Sequence, residues 1–391
     1  MSSSTDPLPS AGLPYPPPRY QPPGGGSRST FLGCAFALSF LGNLLAGVVI
    51  LFLCFGLLFK GDFDSTSSTG LPEKYHSGTK TAKDKVAIVS IDTVLMEGLL
   101  SHVTKQLEQA GKDEAVKAVV LRIDSPGGSI TASDDLHRKI LALRDGDDAR
   151  HITARPVLVS MGSVAASGGY YIAAPAAKIF AESSTITGSI GVYSSFPNVR
   201  ELAGKVGVTM NTIKAGKIKD AGSPFREMSD EERQVVQDMV NDAYVQFLQV
   251  IEKGRPKLTR PVMLERFTVQ PSQPDPKAGG KEVPAYTRYR ADGGIYTAKR
   301  ALDLGLIDAI GPLEDAVKAA AEAASLDSYR AIRYQRSRSL TDLLLTRTDP
   351  PAVNGLSLGV DRLSTLLTPR MWYLAPEYEA AAVLAGKDEP R

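Results

Sequence analysis

The stretch ASGGYY, Ala166 to Tyr171, sets a serine before two glycines and two tyrosines, at the end of the apolar run PVLVSMGSVA. A serine hydroxyl is a weak nucleophile until a base takes its proton and hydrogen-bond donors stabilise the oxyanion created by its attack. The glycines after Ser167 let the backbone approach a substrate carbonyl, and the Gly168 N–H is one such donor. A second glycine turn, DSPGGS from Asp124 to Ser129, ends an earlier apolar strand and can supply another. Two convergent N–H groups would form an oxyanion hole; the plain alternative is a pair of ordinary strand-to-helix turns.

The base follows by subtraction. The four histidines, His76, His102, His137 and His151, all precede Ser167, which excludes the α/β-hydrolase order in which histidine follows serine. A chymotrypsin-like order stays formally open. However, His76 falls in a polar linker, His102 and His137 on helical surface patterns, and His151 in the loop DGDDARHITAR, so each reads as a solvated residue. Lysine remains, as in Ser–Lys variants of the serine-protease triad. A lysine of ordinary pKa, about 10.4, must be lowered by roughly two to three units to work near pH 7, at a cost of about 3–4 kcal/mol, which calls for a tight apolar site. NTIKAGKIKDAGSP offers Lys214, Lys217 and Lys219 on what reads as a strand and turn, and spacing alone does not choose among them.

The elements that must hold these residues alternate in type. KVAIVSID, VKAVVLRID and PVLVSMG read as buried strands, while GLLSHVTKQLEQAGKD, ITASDDLHRKILALRD and ASGGYYIAAPA read as helices. Strand–helix alternation implies an α/β fold with a parallel sheet and helical cover, and its loop sites lie at the carboxyl edge of the strands. SDEERQVVQDMVNDAYVQFLQVIEKGR carries a capping box at Ser229 and Glu232 and an apolar stripe at Val236, Met239, Val240, Ala243, Tyr244 and Phe247.

Outside this core, residues 1–30 are a Pro/Gly/Ser-rich tail with too little apolar surface to order. Residues 31–59 carry no charge and are long enough to span a bilayer, so they read as a single transmembrane anchor rather than a cleaved signal peptide. Arg19 and Arg28 precede the span, while Lys60 after it is followed by Asp62 and Asp64, a slight bias toward a cytoplasmic tail with the bulk of the chain outside. A linker at 60–84 leads into a domain at 85–330, with an irregular insertion at about 256–291 and a C-terminal extension at 331–391.

A net charge of +2 gives no electrostatic case for nucleic acid. The two cysteines, Cys34 and Cys54, both lie in the apolar segment, so neither a disulfide framework nor a cysteine metal site is expected. No zinc-protease motif and no Walker loop occurs, and the expectation is an activity without metal or cofactor.

VKAVVLRIDSPGGS, PVLVSMGSVAASGGYYIAAPA, TITGSIGV, IKAGKIKDAGSPFREMSDEER and YTAKRALDLGLIDAIG, in this order, resemble the signal peptide peptidase A family of membrane-anchored Ser/Lys proteases. The resemblance implies a Clp protease or crotonase type of fold. It implies Ser167 as nucleophile, Lys219 as general base, Ser189 as the residue orienting that lysine, and an oxyanion hole from Gly168 with Gly127 or Gly128. It further implies the short, single-domain form, a homo-oligomer in which the lysine of one protomer serves the serine of the next, and substrates that are signal peptides or other short apolar stretches. A non-catalytic membrane scaffold and a crotonase-like acyl-CoA enzyme are the alternatives.

Overall fold

The computed structural model describes residues 39, 42–50, 70–270 and 284–336, and the backbone of 371–374. Two compact units are formed, residues 1–69 and 70–391. In the first, residues 42–50 are helical; the rest of the apolar segment 31–59, except Ser39, lies outside the described residues. No helix among the described residues is long and apolar enough to cross a membrane.

The second unit follows the order β1 (Glu73–Gly78), β2 (Lys85–Ile91), α1 (Ser101–Lys112), β3 (Val116–Ser125), β4 (Gly127–Ser129), α2 (Ile130–Asp145), β5 (Val157–Ala166) and α3 (Gly168–Ala173). Then come β6 (Ile179–Ala181), β7 (Ile186–Gly188), β8 (Tyr193–Ser194), α4 (Arg200–Lys205), α5 (Asp230–Gly254), α6 (Arg260–Leu264), β9 (Arg266–Val269) and β10 (Tyr286–Tyr289). The last elements are β11 (Ile295–Thr297), α7 (Ala298–Asp303), β12 (Ala309–Ile310), α8 (Leu313–Ala323), β13 (Arg330–Tyr334) and β14 (Met371–Leu374).

The main sheet runs β1-β13-β2-β3-β5-β6-β12, with β7 and β11 branching from the far end of β5. Its centre is parallel, as the strand–helix alternation predicts, whereas β1 on β13 and β11 on β7 are antiparallel. Period-two alternation gives each central strand two buried faces. Ala87, Val89 and Ile91 face α1, α2, α3 and α5, while Val86, Ile88 and Val120 face α8. The capping box at Ser229 and Glu232 forms as expected and starts α5.

Four readings of the sequence are corrected. The stretch read as linker contains β1, a half-exposed polar strand whose burial pattern carries no apolar alternation to betray it. The insertion at 256–291 is not irregular throughout: it holds α6 and the β9–β10 ribbon. β13, inside the stretch read as C-terminal extension, is an internal strand between β1 and β2. The N-terminal half of the apolar stripe of α5 lies outside the core, with Met239 50% exposed, and among its apolar residues burial begins only at Ala243.

One buried cation ties the lower edge of the sheet together. Arg155, 6% exposed, donates to the carbonyls of Ala110, Gly111, Asp113 and Val116, which end α1 and start β3. Helix C-termini leave carbonyls without intrahelical partners, and a five-donor fork can satisfy several at once.

Candidate active site

β5 ends at Ala166 and α3 begins at Gly168, leaving Ser167 as a one-residue elbow with φ 53° and ψ −115°. Only four described non-glycine residues have positive φ: His151, Ser167, Ser189 and Ser325. Two of them are serines singled out from the sequence. Such a conformation costs a side-chain-bearing residue roughly 1–3 kcal/mol, so the surroundings must impose it. The Ser167 N–H donates to Gly188 O at 2.8 Å, and the Ser167 carbonyl accepts from Tyr171 N at 2.9 Å. Ser167→Gly should therefore be more stable than Ser167→Ala by about 1 kcal/mol, because glycine adopts positive φ without penalty. Urea unfolding of the two variants checks this.

α3 is fixed as the floor. Tyr170 is fully buried and its hydroxyl donates to Leu306 O at 2.8 Å, while the Tyr171 hydroxyl donates to Asp134 at 3.0 Å. Tyr171 meets His137 and Phe247 edge-on at 5.2 and 5.1 Å. Burial pushes the His137 imidazole down to about 4. The reading of His137 as a solvated surface residue is thus corrected: it packs under α3, with the Tyr171 ring as its neighbour.

Ser189 follows β7, which is latched to β5 by two hydroxyls, Thr185 to Gly162 O and Thr187 to Ala165 O, each at 2.6 Å. On its other side β7 pairs with β11, and the Ser189 N–H donates to Gly294 O at 2.9 Å. Because Gly188 accepts from Ser167 and precedes Ser189, the two strained serines come together.

The glycine turn of β4 closes the site from the β3 side. A Cβ on Gly169 would lie 2.7 Å from Ser125 O, so this approach of α3 to the end of β3 requires glycine. Leu95 N donates to Gly127 O at 2.8 Å and Leu95 O accepts from Ser129 N at 2.7 Å. Strand alternation then turns the Gly128 N–H to the opposite edge, whereas the Gly127 N–H lies 3.2 Å from Ser125 Oγ. Of the two glycines left open, Gly128 has the amide aimed away from Leu95.

Lys219 is placed differently. Residues 207–219 are exposed; 208–214 have no regular structure, so the strand expected in NTIKAGKIKD does not form, while 215–219 make the bend and turn that follow it. Lys214 pairs with Asp220 and Lys217 with Glu231, which leaves Lys219 as the one lysine of the three with no ion pair among the described residues. No hydrogen bond among the described residues joins its ammonium to Ser167 or Ser189. The arm carrying it exposes Val206, Val208, Met210 and Ile213, the last completely.

The base of this arm is anchored by Arg226, a residue the sequence reading did not single out. Arg226 bonds Asp220 at 2.9 Å and Glu232 at 2.8 Å, uniting the residue after Lys219 with the capping box of α5. Hydrogen bonding from Arg226 holds the Asp220 carboxyl far below its usual range and lowers Glu232 to about 2. Depressed carboxylates stabilise fully above their unfolded pKa and lose that contribution as pH falls through the folded one. Protection of the arm from limited proteolysis by an acid protease is expected to be constant from pH 7 to about 5 and to fall between about pH 4.5 and 2; Arg226→Met should abolish that dependence.

Beside β8, a cavity of about 670 Å³ is lined by Tyr193, Phe196, Met228, Val236 and Val240, with Arg226 and Arg233 at its polar side. Among the described residues no group of three or more His, Cys, Asp or Glu could hold a metal ion.

Residues 149–262 match the model of peptidase family S49. A protein named as a protease in Synechocystis is 35% identical over 249 residues, 64% of this chain and 77% of that one. A protein named as signal peptide peptidase SppA in Enterococcus faecium is 36% identical over 230 residues, and one named as a protease in Methanocaldococcus jannaschii is 35% identical over 228. The chain spans 58% and 63% of the length of these last two. Among solved structures, a ClpP1 mutant of Listeria monocytogenes overlaps 59% of this chain and 94% of that chain at 14% identity and TM-score 0.32, too loosely to argue from. The family-model match spans positions 149–262, and the chain belongs to peptidase family S49, with the signal peptide peptidase A proteins.

Proposed function

We propose that the protein is a membrane-anchored serine endopeptidase that hydrolyses short apolar polypeptides, cleaved signal peptides among them. The observation that carries this reading is the strained Ser167 elbow, held by Gly188 beside Ser189 and facing the Gly128 turn. In the reaction, Ser167 Oγ attacks the scissile carbonyl as Lys219 takes its proton. The N–H groups of Gly168 and Gly128 receive the oxyanion, the amine leaves with the proton, and water then hydrolyses the acyl-enzyme. Ser189 orients the lysine.

Lys219 sits on an exposed arm whose apolar residues Val206, Val208, Met210 and Ile213 are exposed among the described residues. This supports a homo-oligomer in which the arm reaches the serine of a neighbouring copy and finds there the dry site that a neutral lysine needs. The apolar lining of the cavity beside β8 suits apolar substrate side chains. The charge-free segment 31–59 supports a single-pass anchor, with the catalytic unit outside the cytoplasm.

Cleavage of an apolar fluorogenic peptide by the detergent-solubilised chain tests the proposal. Ser167→Ala and Lys219→Ala should each lower kcat/KM by about a thousandfold or more, with unchanged thermal stability. Either variant retaining activity refutes the dyad.

A further inference from the structure

β5 changes neighbours on its way to Ser167. Val159–Met161 pair with β6, whereas Val164–Ala166 pair with β7. On the other side, Ile123 lies opposite Met161 and Ser125 opposite Ala165, so Gly162, Ser163 and Val164 together face the single residue Asp124. The extra residues of such a bulge lose their ladder partners, and the strand beyond them is re-aimed. Here the strand beyond is Val164–Ala166, which ends on the Ser167 elbow.

Side chains stand in for the missing ladder. The Asp124 carboxylate accepts from Val164 N at 3.0 Å, and Thr185 Oγ1 donates to Gly162 O at 2.6 Å. Arg122, two residues back on the same face of β3, donates to Met161 O at 3.3 Å, just before the bulge. A Cβ on Gly162 would lie 2.9 Å from Asp124 Cγ and Oδ2, so the carboxylate is seated against the bulge itself. Arg122 pairs with Glu182 at 3.0 Å, and Asp124 has no ion pair among the described residues. The carboxylate therefore serves the main chain as a hydrogen-bond acceptor rather than as half of a salt bridge.

We propose that Asp124 is a positioning residue for Ser167: by holding the Val164 N–H it fixes the re-aimed end of β5, and with it the line along which Ser167 Oγ meets the scissile carbonyl. The proposal rests on the reading of Ser167 as a peptidase nucleophile. Asp124 acts through Val164, Ala165 and Ala166, without touching substrate. A misplacement of about 1 Å can cost about a hundredfold in rate, so losing this bond should slow the chemical step and leave ground-state binding of peptide unchanged.

The test compares the full wild-type chain with Asp124→Ala and Asp124→Asn, by kcat and KM for an apolar fluorogenic peptide and by the rate at which a small fluorophosphonate labels Ser167. The alanine variant is expected to lose about thirtyfold or more in both kcat and labelling rate, with KM within about twofold of wild type. Asparagine, whose Oδ1 accepts the same bond, should bring both rates back to within about threefold of wild type. Gly162→Ala keeps the carboxylate but crowds it off Val164, and should lower kcat as Asp124→Ala does; thermal unfolding of every variant confirms that folded proteins are compared. Wild-type rates in Asp124→Ala would overturn the proposal. So would an asparagine variant as slow as alanine, since charge and not the bond would then matter, or a raised KM at unchanged kcat. A wild-type protein that neither cleaves the peptide nor is labelled refutes the peptidase reading itself, and the positioning role with it.

Discussion

Mixing two inactive variants is expected to restore peptidase activity. If Lys219 of one protomer serves Ser167 of the next, Ser167→Ala and Lys219→Ala oligomers are each dead, but a mixed assembly contains interfaces at which an intact serine meets an intact lysine. After subunit exchange at equal concentrations, about a quarter of the interfaces should be intact, and about a quarter of wild-type kcat should return with an unchanged KM. The physical ground is the placement of Lys219. Desolvation by burial against apolar surface is what favours the neutral form of an amine, so a lysine base has to be docked out of water. The exposed Val206, Val208, Met210 and Ile213 supply the apolar contact for such docking. No recovery on mixing, with each variant oligomeric, would mean that the dyad is completed within one chain.

The second large effect is on stability. Arg155→Met should lower the unfolding free energy by about 3 kcal/mol or more, because it leaves the carbonyls of Ala110, Gly111 and Val116 buried without the donors that satisfied them. Methionine fills much of the volume, so the loss reports unpaired acceptors rather than a cavity. Arg155→Lys should fall between the two, since an ammonium has three donors and no planar fork. Urea unfolding measures the series; a change below about 0.5 kcal/mol for the methionine variant would show that the carbonyls find other partners.

The central layer was legible because β2, β3 and β5 are buried on both faces and so read as unbroken apolar runs, with their helices following in phase. β1, β8 and the β9–β10 ribbon escaped notice because partly exposed strands carry no such pattern. His137 was misread for a related reason: it stands four residues after Ser133 on a face that includes Leu136 and Ile140, and that face is buried although its polar members disguise it. Ser167 could be recognised from its glycines, since the strain at its backbone and the close approach of Gly169 to Ser125 demand them. Lys219 could not be separated from Lys214 and Lys217 by spacing. In the structure Lys214 pairs with Asp220 and Lys217 with Glu231, while Lys219 has no ion pair among the described residues, and pairwise contacts of this kind leave no periodic trace. The single tryptophan between two prolines was a usable signal for β14, but its partners β4 and β8 are short strands that only the fold brings together.

The most direct test of the catalytic assignment is covalent capture of the nucleophile. The full chain is treated at neutral pH with a peptidyl fluorophosphonate bearing an apolar side chain, and the adduct is located by mass spectrometry. The account predicts one labelled residue, Ser167, in the wild-type protein and labelling slowed by about a thousandfold in Lys219→Ala. Labelling elsewhere, or equal rates in the two proteins, would contradict it.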